Sequence, residues 1–341
     1  MKLLPNSNSF QLVDMREKIP KVTLFKRIVI ITLIVLITGF LIQWGYGFYI
    51  NERFGSRMKY TRVNERKMEY NISGSGDFTV IFDGDIGTNS YEWKGVADEV
   101  QKELGVQTFV YNRRGYGFND SGSRISPKEQ AEDLKILLRK AAASGPYILV
   151  GEGYGGLVMT NFASMYPDVV KGVVLINPYD ENKPKEGTKE KVKETADLAR
   201  KKIESIGSNF SFTILLDKLG LASKVDDFEN NLAGFMGQEF SYKKNQSGYR
   251  SAVYNETKNL YDKVDNSEND GMFKNIPFYI LSNQNNNPLK RLGSGDLTFQ
   301  YKSNYDGAVY SMMDSKNVEN AIKKVVETAR KIAKKNSPNK N

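Results

Sequence analysis

The sequence predicts an α/β fold in which a mainly parallel, doubly wound sheet carries a helical lid insertion and follows one transmembrane helix. Short apolar runs such as GVVLI alternate with helical patterns, which is typical of βαβ units whose strands are buried on both faces. An uncharged apolar run, Ile28–Ile50, precedes them. A charged, asparagine-rich segment from Asp180 to about Lys274 interrupts the alternation and indicates an insertion between two core strands.

The apolar run Ile28–Ile50 is predicted to span a membrane once. As a helix it would rise about 34 Å, enough to cross a bilayer core of about 30 Å. Trp44, Tyr46 and Tyr49 lie at its far end, where an interfacial aromatic belt is expected. No A-x-A-like site follows the run, which favours an uncleaved anchor over a cleaved signal peptide. The segment before the run carries one more basic residue than the segment after it, which favours a cytoplasmic N-terminus. We therefore expect the protein at the cell membrane with its large domain on the extracytoplasmic side.

The remaining elements follow from periodicity and turn residues. Ser126–Ala143 is predicted as a helix because Pro127 suits a first turn and apolar residues share one face. The other predicted core elements are, in chain order, the strand and turn Phe78–Gly87, the helix Ser90–Leu104, the strand and turn Thr108–Gly117, the strand, turn and helix Pro146–Pro167, the strands Val170–Ile176 and Ile276–Leu281, and a closing helix Val318–Lys331.

The insertion is predicted to be an ordered lid rather than a disordered loop. Helical stretches are expected around Glu190–Ile206 and Phe212–Leu219, where apolar residues recur at helical spacing. The predicted organisation is a short N-terminal cytoplasmic segment 1–27, the transmembrane helix 28–50, a juxtamembrane linker 51–67, an α/β core over 68–180 and 275–335, the lid 181–274 and a basic tail 336–341.

Histidine and cysteine are both absent from the 341 residues. Without cysteine the chain has no disulfide, no thiolate metal site and no cysteine nucleophile. Without histidine it lacks the usual general base at neutral pH and the commonest nitrogen ligand of metals. The missing histidines have two explanations, compositional drift and the loss of a functional base. The residue at the position where a catalytic histidine is expected decides between them. We expect no cofactor.

The net charge of +9 is concentrated in lysine-rich segments, Lys183–Lys202 and Lys323–Lys340. Such a surface can meet anionic lipid, anionic polymers or nucleic acid. A solvated lysine-rich surface is the favoured interpretation. Because no stripe of arginine with aromatic residues is present, the sequence does not indicate nucleic acid as a partner. The membrane is the expected partner, together with an unidentified small-molecule or protein ligand.

Four segments, in the order that the fold requires, resemble the α/β-hydrolase superfamily over roughly Met68–Val326. VIFDGDIGTNSYEW resembles the strand and oxyanion loop of that family. VYNRRGYGFNDSG resembles the turn that reads Y-D-R-x-G-Y-G-x-S in the family. PYILVGEGYGGLVMTNFASMYPDVVKGVVLINP resembles the nucleophile elbow with its flanking strands and helix. VYSMMDSKNVENAIKKVVE resembles the loop that presents the histidine, followed by the last helix. The resemblance implies the fold but not an activity.

The resemblance also implies that the catalytic triad is lost. The family elbow G-x-S-x-G places a serine where this chain has Gly153, which cannot form an acyl intermediate. The histidine position falls at Val309, and the acid position at Asn177 or Asn285. A glycine adopts the positive φ of the elbow without strain, whereas an amide cannot stabilise an imidazolium as a carboxylate does.

Backbone donors of the old site are expected to remain. The oxyanion hole would use the N–H of Tyr154 and one near Asp85 or Ile86. Glu152 lies beside them, and we expect it to form a salt bridge with Arg113 or Arg114 rather than to bind a ligand. A cation held by Asp83, Asp85 and Glu152 is a weaker alternative because no dense acidic motif supports it, and we predict no metal site.

Two functions therefore stay open. The first is a non-catalytic, membrane-tethered binding or interaction module, or pseudo-hydrolase, which the lost triad favours. The second is a hydrolase with relocated chemistry, in which Glu152 or Asp85 activates water directly. A carboxylate needs a pKa raised by burial to act as a base near neutral pH.

Overall fold

The computed structural model describes residues 21–55, 57–182, 187–262 and 267–336. Most of the expected N-terminal segment 1–27 and nearly all of the basic tail 336–341 lie outside these ranges. Helix α1 runs from Lys21 to Arg53 and contains the predicted span. Its apolar side chains are exposed over most of its first half, and its length and composition suffice to cross a membrane.

Eight strands form one sheet in the order β1-β2-β4-β3-β5-β6-β7-β8. Strand β2 is antiparallel to both neighbours and all other pairs are parallel. The strands are β1 Lys59–Val63, β2 Arg66–Ser73, β3 Thr79–Asp83, β4 Gln107–Tyr111, β5 Tyr147–Glu152, β6 Val170–Ile176, β7 Phe278–Ser282 and β8 Thr298–Lys302. The segment 51–67 is therefore not the linker that we expected, because it contains the end of α1, strand β1 and the first residues of β2.

Helices cover both faces of the sheet, as a doubly wound fold requires. Helices α2, Lys94–Leu104, and α11, Ser315–Asn336, pack on one face. Helices α3, Pro127–Lys140, and α4, Tyr154–Met165, pack on the other. A short helix α10, Tyr310–Met313, precedes α11.

Local sequence explains how the predicted helix α3 is fixed. Ser126 caps its start, accepting the N–H of Glu129, whose side chain in turn accepts the N–H of Ser126. Leu134, Leu137 and Leu138 are fully buried against the sheet. Each such side chain stabilises the fold by about 1.5–3 kcal/mol relative to exposure.

The insertion between β6 and β7 is a lid of helices over the carboxyl end of the sheet. Its helices are α5 Thr188–Gly207, α6 Phe212–Lys218, α7 Asp226–Asn231, α8 Gly234–Lys243 and α9 Ser247–Asp262. The first two match the stretches predicted from apolar spacing. Parts of the lid, 183–186 and 263–266, lie outside the described residues.

Candidate functional site

The sharp turn between β5 and α4 has the geometry of a nucleophile elbow. Gly153 occupies it with φ 53° and ψ −118°, a conformation that side chains rarely adopt. The turn is held close to β3 because the Gly155 N–H donates to the Gly84 carbonyl oxygen at 3.0 Å. The sequence prediction that Gly153 stands at the elbow therefore agrees with the backbone.

The space that an elbow side chain would fill is occupied by Asp85. A Cβ atom added to Gly153 would overlap the Asp85 carboxyl group, and even the farther oxygen, Oδ2, would be only 2.5 Å away. Real Cβ atoms essentially never show contacts under 3.0 Å. The space beside the elbow glycine is thus filled by a carboxyl group from the loop after β3.

Asp85 also occupies the expected oxyanion donors. Its Oδ1 accepts the N–H of Tyr154 at 2.8 Å and the N–H of Ile86 at 2.7 Å. Its Oδ2 lies 3.4 Å from the hydroxyl of Tyr179, which donates to it. Burial raises the pKa of Asp85 although the two amides and Arg113 oppose the shift. The two backbone N–H groups that the sequence predicted as oxyanion donors are therefore directed at the protein's own side chain.

A small cavity lies between this carboxylate and the lid. Its volume is about 170 Å³, below the roughly 300–1,000 Å³ usual for ligand pockets. Asp85, Ile86 and Tyr179 line the sheet side. The lid contributes mainly polar and charged groups of α5, α9 and the loop before α7, including Lys201, Ser223, Lys224, Arg250, Thr257 and Tyr261.

The cationic groups in this lining are already paired within the lid. Lys201 lies 2.9 Å from Asp197, and Arg250 lies 3.0 Å from Glu204. The cavity is small, and its lining also includes the apolar residues Val225, Val253 and Leu260.

A larger cavity of about 1110 Å³ lies at the opposite end of the sheet. Asp77 and Pro146, which precede β3 and β5, and Arg330 on α11 are among its lining residues. In open α/β sheets, ligands bind outside the carboxyl ends of the strands. The small cavity above the elbow is therefore the candidate site despite its size.

Glu152 does not form the salt bridge that the sequence predicted. Its carboxylate instead accepts the backbone N–H groups of Tyr310 and Ser311, the latter at 3.0 Å. Glu92 is buried nearby and accepts the Ser311 hydroxyl at 3.0 Å. Burial raises the pKa of Glu92 to about 7 and that of Glu152 well above its usual range, the latter further raised by the charge of Glu92. Burial therefore disfavours the charged form of both acids.

The two arginines have other partners. Arg113 is buried and binds Asp83, together with Glu256 of α9, whose Oε1 lies 2.7 Å from its Nε. Arg114 binds Asp133 of α3. Arg113 thus joins the core to the lid, and Tyr116 strengthens the junction by donating to Glu256 at 2.6 Å.

Of the predicted pocket residues, Asp85 and Ile86 line the cavity, whereas Glu152 and Tyr154 do not. Tyr154 is fully buried with its ring beside Arg113, and its hydroxyl accepts a hydrogen bond from Asn259. The prediction that Glu152 lies in the pocket is therefore wrong. Only the Tyr154 N–H, not its side chain, belongs to the site.

The positions at which the sequence analysis expected the base and the acid hold Val309, Asn177 and Asn285. Val309 is fully buried immediately before α10. Asn177 follows β6 with φ 42°, and its side-chain amide donates to the Gly307 carbonyl oxygen at 3.4 Å. Asn285 is exposed in the loop after β7.

The alternative of a cation held by Asp83, Asp85 and Glu152 finds no matching geometry. Asp83 is bound by Arg113 and by the Tyr111 hydroxyl, and Glu152 is bound by backbone amides. Among the described residues, no group of three or more acidic, histidine or cysteine side chains is arranged to hold a metal ion.

Sequence reasoning missed Glu92, Arg113's partner Glu256 and Tyr179. Glu92 stands next to the helix tryptophan in the segment SYEW, and only its burial sets it apart from a surface acid. Glu256 is in the lid, far from its partner in the sequence. No local pattern signals either contact.

Comparison with known proteins gives a consistent family. The sequence model of the alpha/beta hydrolase fold matches residues 80–298. An uncharacterised protein, YqjL, of Bacillus subtilis is 30% identical over 106 residues, which cover 31% of this chain and 41% of that protein. Pyrrolizixenacetamide deacetylase of Xenorhabdus hominickii is 26% identical over 122 residues, covering 36% of this chain and 45% of the enzyme. The chain thus spans less than half the length of these curated relatives.

Solved structures show the same architecture over most of the chain. The epoxide hydrolase CorEH aligns with a TM-score of 0.62 at 15% identity, covering 80% of this chain and 98% of that structure. At this identity the similarity shows the fold alone.

Proposed function

Because the chain belongs to the alpha/beta hydrolase fold family, we propose that it is a membrane-anchored member that binds a ligand at the former active site without cleaving it. The observation that carries the proposal is the position of Asp85. Its carboxylate fills the side-chain space at Gly153 and takes both backbone donors.

Catalysis by the family's usual route needs a nucleophile, a base and a free oxyanion hole. Gly153 supplies no nucleophile, and the chain contains no histidine. With the Tyr154 and Ile86 amides bonded to a carboxylate, a developing oxyanion would meet negative charge instead of donors. The Asp85 carboxylate would therefore destabilise the transition state that free amide donors would stabilise.

The anchor is α1, whose residues Thr23–Arg53 are long and apolar enough to cross a membrane. We place the folded domain on the extracytoplasmic side, following the excess of basic residues on the leading flank. The ligand is a small polar molecule, which fits the cavity of about 170 Å³ and its polar lid residues. A protein partner docked on the lid is the alternative within this proposal.

Activity measurements test the non-catalytic part. The purified full-length chain in detergent should not react with a fluorophosphonate probe and should not turn over p-nitrophenyl acetate above the buffer rate. Turnover that survives purification through two independent steps and disappears in Asp85→Asn would overturn the proposal.

Binding is tested by thermal shift against a panel of small hydroxylated and carboxylated compounds. Leu260→Trp should abolish any shift, because Leu260 lines the cavity and the indole would fill it. Val192→Trp is the matched control, since Val192 is an exposed lid residue outside the cavity lining. Equal ligand-induced thermal shifts in the two variants would show that the ligand binds outside this cavity.

A second candidate function follows from the same carboxylate. One oxygen of Asp85 is held by two amides, while Oδ2 lies at the cavity and near only one hydroxyl, that of Tyr179. A carboxylate fixed in this way, with a pKa raised by burial, can take a proton from water as the water oxygen attacks a substrate carbon. In an ester the carbonyl π bond breaks, and in an epoxide a ring C–O bond breaks. Asp85 then returns its proton to the leaving alkoxide of the ester or to the opened epoxide oxygen. Glu152, the other acid proposed from the sequence, lies outside the cavity lining.

This candidate predicts a different outcome for a substrate panel of esters and epoxides. Asp85→Asn should abolish turnover, and Glu152→Gln should leave it in place. The binding proposal predicts no turnover in any of the three proteins.

A further inference from the structure

The lid carries an apolar surface on the outside of the protein, next to the anchor helix. We define this lid apolar surface by side chains that are 41–60% exposed. Its members are Ile203, Ile206, Phe212, Leu215, Leu219 and Leu221. Contiguous exposed apolar side chains of this kind mark sites of contact with membranes or proteins.

Helix α6 is oriented with its apolar side outward. Phe212, Leu215 and Leu219 recur at helical spacing and are exposed, whereas Thr213 is fully buried. Its acidic residue, Asp217, points inward and lies 2.8 Å from Nζ of Lys244. A helix that directs its carboxylate to the protein and most of its apolar side chains outward is adapted to an apolar environment rather than to water.

The turn just before α6 packs directly on the anchor. The Ser211 hydroxyl donates to the Gly39 carbonyl oxygen at 2.9 Å. A Cβ atom added to Gly39 would be 3.0 Å from the carbonyl carbon of Phe210 and closer still to its oxygen. Gln43, in the middle of the apolar run, is buried and donates to the Asn245 carbonyl oxygen at 3.3 Å. The lid is therefore fixed against α1 over the second half of its apolar run.

The level of this contact along α1 identifies what covers the lid apolar surface. Gly39 lies about 16 Å along the helix from Ile28 at 1.5 Å per residue. A bilayer core of about 30 Å that begins near Ile28 extends well past Gly39. The lipid that surrounds α1 must therefore reach the turn at Phe210–Ser211 and the α6 residues that follow it.

We infer that the lid apolar surface is immersed in the leaflet on the lid side of the membrane, so that lipid acyl chains, and not a second protein, cover it. The inference rests on the proposed membrane anchor. The exposed Lys218 at the end of α6 can extend to the headgroups while its stem stays among the acyl chains. The lid then serves as a second membrane contact beside the transmembrane helix.

The absence of cysteine from the chain allows a direct test with single labels. The full-length protein is reconstituted in phosphatidylcholine–phosphatidylglycerol vesicles as Leu215→Cys, with an environment-sensitive fluorophore attached. Leu219→Cys is the second reporter of the same surface. Lys102→Cys on α2 is the water-exposed control, and Leu33→Cys on α1 reports the anchor itself.

The inference predicts that labels at Leu215 and Leu219 are quenched by spin-labelled lipid about as strongly as the label at Leu33, and are shielded from aqueous iodide. The Lys102 label should show the reverse. Quenching at Leu33 with none at Leu215 or Leu219 would overturn the inference while leaving the anchor intact. Loss of quenching at Leu33 would overturn the anchor. Iodide shielding at Leu215 without lipid quenching would assign the surface to a protein contact and would also overturn the inference.

Discussion

Placing a side chain at the elbow should destabilise the protein both through backbone strain and through displacement of Asp85. Gly153→Ala forces a non-glycine residue into a strained φ,ψ region, which costs about 1–3 kcal/mol. The new Cβ also overlaps the Asp85 carboxyl group, so that Asp85 must leave at least one of its two amide donors. A hydrogen bond to a charged group contributes about 1.5–3 kcal/mol. The expected loss of unfolding free energy is therefore about 2.5–6 kcal/mol.

A double-mutant cycle with Asp85→Ala separates the two contributions. In the Asp85→Ala background only backbone strain remains, so Gly153→Ala should cost about 1–3 kcal/mol, a coupling energy of about 1.5–3 kcal/mol. Urea denaturation of the detergent-solubilised full chain, followed by tryptophan fluorescence, measures each variant. Gly95→Ala is the control, because a Cβ there meets no atom within 4 Å and should change stability little. An equal cost of Gly153→Ala in both backgrounds would refute the assignment of Asp85 to the nucleophile's space.

Three further measurements test other parts of the structure. Because burial raises the folded pKa of Glu92 to about 7, this residue binds more protons in the folded than in the unfolded state between pH 5 and pH 7, and it should contribute a fall in stability of up to about 1.4 kcal/mol per pH unit as pH rises. Other buried acids with raised pKa values, such as Glu152, add to the total fall. Glu92→Gln should therefore make the fall shallower without abolishing it, as measured by urea denaturation at each pH. Arg113→Met leaves two buried carboxylates unpaired and should cost about 3–5 kcal/mol, whereas Arg330→Ala removes an exposed pair and should cost less than about 1 kcal/mol, both by urea denaturation. Gly39→Leu should loosen the lid from α1 and speed limited proteolysis of the lid, while Gly45→Leu, which meets no neighbouring atom, should not.

The sheet and the elbow could be predicted from the sequence because their signals are local. Apolar strands and the glycine-rich turn at Gly153 follow from residues adjacent in the chain. The glycine at the position where the family has its nucleophile could be identified for the same reason, since it is one residue in a recognisable turn.

The partners of the buried charges could not be predicted in this way. Glu152 was expected to form a salt bridge with Arg113 or Arg114. In the structure its carboxylate is instead bound by the backbone amides of Tyr310 and Ser311 in α10. Arg113 is compensated by a lid residue, Glu256, more than a hundred positions away. Such pairs depend on how the lid settles on the sheet, which no local pattern records.

The position of Asp85 limits which residues the elbow can accept. A serine introduced at Gly153 would place its Cβ inside a carboxyl group that the backbone holds with two hydrogen bonds. Such a variant would lose stability, and the Ile86 and Tyr154 amides would still be bound to Asp85. Introducing a nucleophile at this turn therefore requires at least a second substitution at Asp85, so the loop after β3 and the elbow must change together.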